Sequence, residues 1–333
     1  MNDWELVDNV INNKPVDRVP VGFWFHFLDD AETGDAGEDP AIARRNFEGH
    51  RRYIEAFKPD LVKIMSDGFF FYPVPGGGRT LTGPSSLERI RPVGADHPWI
   101  KAQVELVRKV RELKRDTFYF YNVFSPLTTL RFMLGRGRLV EYLNTERQLV
   151  LPALDRMREG LSCLSCEVVK NGGADGLYLS VQNPDLNSLS SKYYVENFAK
   201  GEVDILERTN KLGGRSILHI CGYGGVRNTL SLYNSYPAHI FSWAVSVEGV
   251  SLGQGRGLFG HRAVLGGFPN TDGSILQTGD KLGVEFYTKD ILEESGRIGV
   301  ILGADCTIPA PGTYDRLEWV RGEAGLVPGA FGL

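Results

Sequence analysis

"SILHICGYGG", residues 216–225, is a short apolar run that ends in His219-Ile220-Cys221 and stops on glycines. A near-continuous apolar run of this length reads as a strand covered on both faces. It follows "SKYYVENFAKGEVDILERTNKLGG" (191–214), a helical stretch closed by Gly213-Gly214. The question it raises is whether the histidine and cysteine are ordinary strand residues or half of a metal site.

Outward from this stretch, the same helix-then-strand unit recurs. "RVPVGFWF" (18–25) follows the helical "DWELVDNVIN", and "PDLVKIM" (59–65) is the next strand-like run. "TFYFYNVFS" (117–125) follows "WIKAQVELVRKVRELK", and "GADGLYLSV" (173–181) follows a helical stretch over 137–171. "RSILHIC" (215–221), "AHIFSWAV" (238–245), "RAVLGGF" (262–268) and "RIGVILGADC" (297–306) complete the series. Eight such units predict an α/β fold: a single (β/α)8 TIM barrel over residues 1–333 with an N-terminal helix. "FFFYPVPGGGRTLTGPSSL" (69–87) reads as a long loop after the second strand, on the side where barrels place their lids. Its "GGG" (76–78) lacks the Gly-Lys-Ser/Thr that a phosphate loop needs, so a flexible loop is expected.

Composition narrows the function classes. The 333 residues carry a net charge of −4 and no Lys/Arg cluster, which argues against a nucleic-acid partner. No apolar run approaches the ~20 residues that span a bilayer. The first residues, "MNDWELVDNVINNKP", lack a basic start and a hydrophobic core, so a cytoplasmic location is the default expectation. The four cysteines, Cys163, Cys166, Cys221 and Cys306, are then expected to be free, catalytic or metal-bound rather than cross-linked.

Alternate strand residues share a face, so His219 and Cys221 point the same way and Ile220 the other. With Ile220 against outer helices, the two ligand-type side chains face the barrel interior at the strand's C-terminal end. Cys306 stands at the C-terminal end of the last strand candidate and so reaches the same rim. One His and two Cys suit zinc, and three protein ligands leave a fourth position open, the pattern of catalytic zinc sites. The competing reading makes His219 a hydrogen-bonded core histidine and the cysteines small hydrophobes. Cys163 and Cys166 have CxxC spacing but sit beside an apolar helical stripe, so structural cysteines are expected there. His50, His97, His239 and His261 lack partners at ligand spacing and read as surface or core histidines.

At "HICG" (219–222) and "LGADC" (302–306) the chain resembles the uroporphyrinogen decarboxylase superfamily. It is most similar to that superfamily's zinc-dependent, corrinoid-linked methyltransferase branch, which includes the methylcobamide:coenzyme M methyltransferases. "DRVPVGFW", "FKPDLVKIMSDG" (57–68), "GADGLYLS" (173–180), "VLGGFPNT" (264–271) and "RLEWVRGEA" (316–324) fit the same order. The resemblance implies the barrel fold, zinc held by His219, Cys221 and Cys306, and methyl transfer between a methyl-corrinoid (cobalamin) protein and a small molecule. A thiol, a tetrahydrofolate, a methylamine or a methyl ether are all compatible as donor or acceptor. This chain has no Asp-x-His-x-x-Gly, so the corrinoid would be supplied by a partner protein. Glu248 is a candidate fourth zinc ligand. His26, Tyr178, Gln182 and Asn270 are candidate substrate-side groups, with Asp67, Asn122, Ser125, Ser180 and Trp243 as further rim candidates.

Two other readings stand beside this one. The superfamily's decarboxylases carry an Arg-Gln-Ala-Gly-Arg-like segment after the first strand to bind substrate carboxylates. Here that place holds "GFWFHFLDD", without arginine. A decarboxylase is therefore the alternative enzyme reading, and a non-catalytic barrel with structural zinc is the other.

Overall fold

The computed structural model describes residues 1–29, 34–76, 79–182 and 190–326. Its sheet is parallel, with seven strands in sequence order: β1 (Leu61–Ile64), β2 (Phe118–Phe124), β3 (Gly176–Val181), β4 (Ile217–Ile220), β5 (Ile240–Trp243), β6 (Ala263–Phe268) and β7 (Val300–Ala304). Helices fill the connections: α1 (Asp3–Ile11), α2 (Pro40–Phe57), α3 (Pro98–Arg111), α4 (Pro126–Leu134), α5 (Arg136–Thr145) and α6 (Arg147–Lys170) come first. They are followed by α7 (Ser191–Tyr194), α8 (Lys200–Lys211), α9 (Val245–Glu248), α10 (Leu252–Leu258), α11 (Ile275–Thr278), α12 (Lys281–Ser295) and α13 (Asp315–Ala324). None of the described helices is long and apolar enough to cross a membrane.

The expected first strand is not a full strand. Residues 18–25 make a single parallel bridge, Val21 with Leu302 of β7. Pro20 has no N–H to donate, so it joins the seam only as an acceptor, from Leu302 N at 2.9 Å. On the other side, the Val21 N–H goes to the Asp60 carboxylate at 2.8 Å instead of to a main-chain carbonyl. Asp60 N returns a bond to Val21 O at 3.3 Å. A proline and a side-chain acceptor thus replace the ladder that the apolar pattern predicted.

Two apolar layers follow from the two-residue period of the strands. Leu61, Phe118, Phe120, Tyr178, Ile217, Ile240, Ala263, Leu265 and Ile301 form the inner cluster. The α1 face of Val7, Val10 and Ile11 joins this cluster and closes its lower end. A capping box between Asn2 and Glu5 starts that helix. The alternate residues, among them Val62, Leu179, Leu218, Ile220, Phe241 and Trp243, pack with the helices in the outer cluster. Trp243 therefore points away from the rim: its indole donates to Val250 O at 2.8 Å and packs on Phe259. Ser125 likewise serves as the N-cap of α4 and does not line the mouth.

The loop after β1 is held more firmly than a flexible lid. Phe69, Phe70, Tyr72, Val74 and Leu81 are all buried, and a 3₁₀ turn at Pro84–Arg89 ends it. Of the "GGG" run, residues 77 and 78 lie outside the described residues. Asn46 and His50 on α2 fix the start of this loop. Asn46 Nδ2 donates to Met65 O and Asp67 O, and Met65 N donates to His50 Nε2 at 2.9 Å. His50 Nδ1–H donates to Asn46 O at 2.9 Å, so both ring nitrogens are used by the neutral tautomer.

Burial accordingly pulls the His50 pKa down from 6.5 to about 4. Below pH 6.5 the unfolded chain takes up a proton that the folded chain refuses. Stability from this group is therefore complete above that pH and falls until about pH 4. A shift of this size corresponds to about 3 kcal/mol. Urea midpoints of wild type and His50→Gln at pH 7.5 and 4.5 check this. The variant should lose distinctly less stability than wild type on acidification; equal losses would exclude the buried imidazole as the source.

Candidate metal centre

The inner layer turns polar at the C-terminal ends of the strands. Ser180, His219 and Ser242 stand side by side on β3, β4 and β5. Cys221 follows β4 directly, and its N–H still bonds to Val181 O at 2.9 Å, so it keeps the strand's alternation. Cys306 follows β7, where Asp305 N bonds to Phe268 O at 2.7 Å. The ligand atoms of His219, Cys221 and Cys306 all lie within 4.8 Å of one another, with the two sulfurs 3.8 Å apart.

The chemistry of this set fits a metal ion. His219 Nδ1 lies 3.1 Å from Ser242 Oγ, while its Nε2 is buried with no hydrogen-bond partner. An unpaired buried nitrogen is costly unless something binds it. With Nδ1–H donated to Ser242, Nε2 offers a lone pair between the two sulfurs. Tyr178 stacks on the imidazole, with ring centroids 5.1 Å apart, and fixes its plane. The thiols share a proton: the Cys221 hydrogen bond holds Cys306 well below the usual thiol range, and that same bond together with burial holds Cys221 well above it. Two thiolates this close repel each other, and a dication removes that repulsion.

A cavity of about 320 Å³ opens above the cluster. Phe70, Phe124 and Phe132 form an aromatic wall, with Phe70 and Phe124 centroids 4.8 Å apart and Phe70 and Phe132 5.3 Å apart. His26 also lines it, and its Nδ1 lies 2.8 Å from Asp67 Oδ1. Asp67 Oδ2 accepts from Phe27 N, so both carboxylate oxygens are occupied. Asn122 donates to Ser66 Oγ, Asn270 donates to Thr307 O beside Cys306, and Gln182 accepts from Arg131. These three residues face the cavity as well, whereas Tyr178 lies beneath it in the inner apolar layer.

Glu248, the candidate fourth ligand, does not join the cluster. Its carboxylate accepts from Asn228 N and Asn228 Nδ2, and Asn228 Nδ2 also donates to Cys221 O. Glu248 thus braces the main chain that carries Cys221. Cys163 and Cys166 lie on α6, remote from the cluster, with their thiols raised mainly by burial. A second cavity, about 370 Å³, lies on the outer helical layer; Arg158 and Arg208, which line it, are paired with Asp155 and Asp204.

One side chain that lines the cavity is not among the residues the sequence pointed to. Lys63 on β1 is buried, and its ammonium sits 4.0 Å from the centroid of the Tyr178 ring and 5.2 Å from that of Trp24. Burial lowers its pKa to about 8, against opposing contributions from Cys306, Asp67 and Cys221. The signal was present: alternation with the inward-facing Leu61 puts Lys63 on the interior face.

Fold and site together define a parallel α/β protein with a cluster of His219, Cys221 and Cys306 at the C-terminal ends of its strands. The chain belongs to the uroporphyrinogen decarboxylase (URO-D) family, whose model matches residues 74–320. A solved structure titled as a methyltransferase from Methanosarcina mazei is similar over 98% of both chains, with a TM-score of 0.70 and 17% identity. A B12-independent methionine synthase from Shewanella sp. W3-18-1, solved with selenomethionine, is similar over 92% of this chain and 96% of its own, with a TM-score of 0.58 and 13% identity. A beta-mannanase from the blue mussel Mytilus edulis reaches 0.51 at 10% identity, over 92% and 91%. At such identities the likeness is one of fold. The comparison with curated proteins found no match.

Proposed function

We propose that the chain is a zinc-dependent methyltransferase that moves a methyl group between a methyl-corrinoid on a partner protein and a small molecule in the cavity. The observation that carries this reading is the unpaired, buried Nε2 of His219 facing two paired thiols at the strand ends. Family membership and the fold shared with a protein titled a methyltransferase support it. The corrinoid part rests on the resemblance of the "HICG" and "LGADC" stretches alone. A full eight-stave barrel is supported by the bonds that residues 20–22 make to both Leu302 and Asp60.

In this reading His219 Nε2, Cys221 Sγ and Cys306 Sγ hold the ion, and Ser242 keeps the proton on Nδ1. Zinc so held would supply a Lewis acid that lowers the pKa of a substrate thiol or polarises an ether oxygen. Tyr178 keeps the imidazole in plane, and the wall of Phe70, Phe124 and Phe132 restricts water. A decarboxylase of the family's name-giving type is disfavoured: Lys63 is the one Lys or Arg among the described lining residues, a poor match for a substrate with many carboxylates.

Metal content by mass spectrometry tests the reading. Protein purified without chelators should hold about one zinc per chain, and Cys306→Ser should bind it at least ~10-fold more weakly. A wild-type chain that takes up no zinc, even when zinc is added back, ends the proposal.

A further inference from the structure

We infer that the cavity selects a small molecule carrying a negative charge, and that Lys63 is the residue that reads this charge. The inference rests on the metal reading through its count of charges. Lys63 is 7% exposed, yet among the described residues no carboxylate lies within ion-pairing distance of its ammonium. Asp67, the acid that follows β1, has both oxygens taken by His26 and by Phe27 N. Beneath the ammonium lie the faces of Tyr178 and Trp24, which attract a cation without neutralising it. Above it lies the cavity that it shares with His219, Cys221 and Cys306.

A buried charge is stable where an opposite charge meets it. In the metal-loaded site, two thiolates and a neutral imidazole balance the two charges of zinc. The cluster then has nothing left for Lys63, and the pocket is one positive charge in excess. A ligand with one negative charge, a carboxylate or a thiolate, completes the balance. An alkylammonium would meet a like charge in the same confined space, which separates anionic substrates from methylamines. The remaining wall of Phe70, Phe124 and Phe132 offers no competing charge.

Calorimetry on the zinc-loaded chain tests this with three S-methyl thioethers of similar size, which have no thiol proton to lose: (methylthio)acetate, 2-(methylthio)ethanol and 2-(methylthio)ethylamine. Wild type should bind (methylthio)acetate at least about tenfold more tightly than 2-(methylthio)ethylamine, with 2-(methylthio)ethanol between them. Lys63→Met should bring the two charged thioethers within about threefold, and Lys63→Arg should restore the order. Zinc content measured on the same samples separates the two ideas. Zinc bound by wild type with no charge preference, or a preference that survives Lys63→Met, overturns the role of Lys63. If wild type holds no zinc, the metal reading fails on its own, and acetate against ethylammonium then tests the charge preference without a sulfur ligand. Should Lys63→Met fail to fold, the wild-type order and Lys63→Gln decide the question.

Discussion

If the proposed function holds, Cys221→Ala should lower methyl transfer at least about a thousandfold while leaving the fold intact. The figure has two parts. A free thiol with a pKa near 8.5 is only about 3% thiolate at pH 7, so losing the ion that holds it deprotonated costs roughly thirtyfold. Losing the fixed point that places the reacting atom costs about a hundredfold more. Cys221 is buried in the strand-end layer and its sulfur is 3.8 Å from that of Cys306, so alanine removes a ligand and a proton-sharing partner together. Single-turnover transfer from a methyl-corrinoid protein, beside circular dichroism, measures both effects. Cys163→Ser on α6 is the control and should retain full activity. A Cys221→Ala chain that still transfers within tenfold of wild type would take the thiol out of the chemistry.

Gly176→Ala is expected to be the most damaging methyl group added at any of the described glycines. A Cβ at Gly176 would stand 1.2 Å from the carbonyl oxygen of Arg215. That oxygen is main chain at the entrance to β4, tied by Arg215 N to Asp175 O at 2.7 Å. The strands cannot part to make room, because Tyr178 and Ile217 pair only two residues further on. A loss of about 4 kcal/mol or more is expected, a large part of a typical 5–15 kcal/mol. Gly137→Ala provides the contrast. Nothing lies within 4 Å of its added methyl, and it sits inside α5, so alanine there should stabilise by up to about 1 kcal/mol. Urea midpoints of opposite sign are the expected result; a folded Gly176→Ala chain with a wild-type midpoint would refute the clash.

Much of this architecture is written in local patterns. Seven strands lie where apolar runs end on glycine or a polar residue, and the period of two places His219 and Cys221 on one face with Ile220 on the other. The same rule puts Lys63 inward, but a lone lysine in "DLVKIM" is easily passed over among five apolar or acidic neighbours. What the pattern could not reveal depends on distant partners. Val21 looks like strand, yet Asp60 takes its N–H. Glu248 looks like a free carboxylate, yet Asn228 holds it. Trp243 looks like a rim residue, but it is out of phase with Ser242, which stands beside His219.

The seam at Val21 has a consequence for how the molecule is made. Each of the seven strands pairs with its neighbour in sequence, so the sheet can grow as the chain leaves the ribosome. The bridge between Val21 and Leu302 cannot, because its halves are some 280 residues apart. At about 5–20 residues per second, the apolar Val19–Phe25 run waits roughly 15 to 60 s for its partner. Residues 19–25 are thus among the last to find their place, and the growing chain carries a sticky, half-satisfied segment until β7 is made.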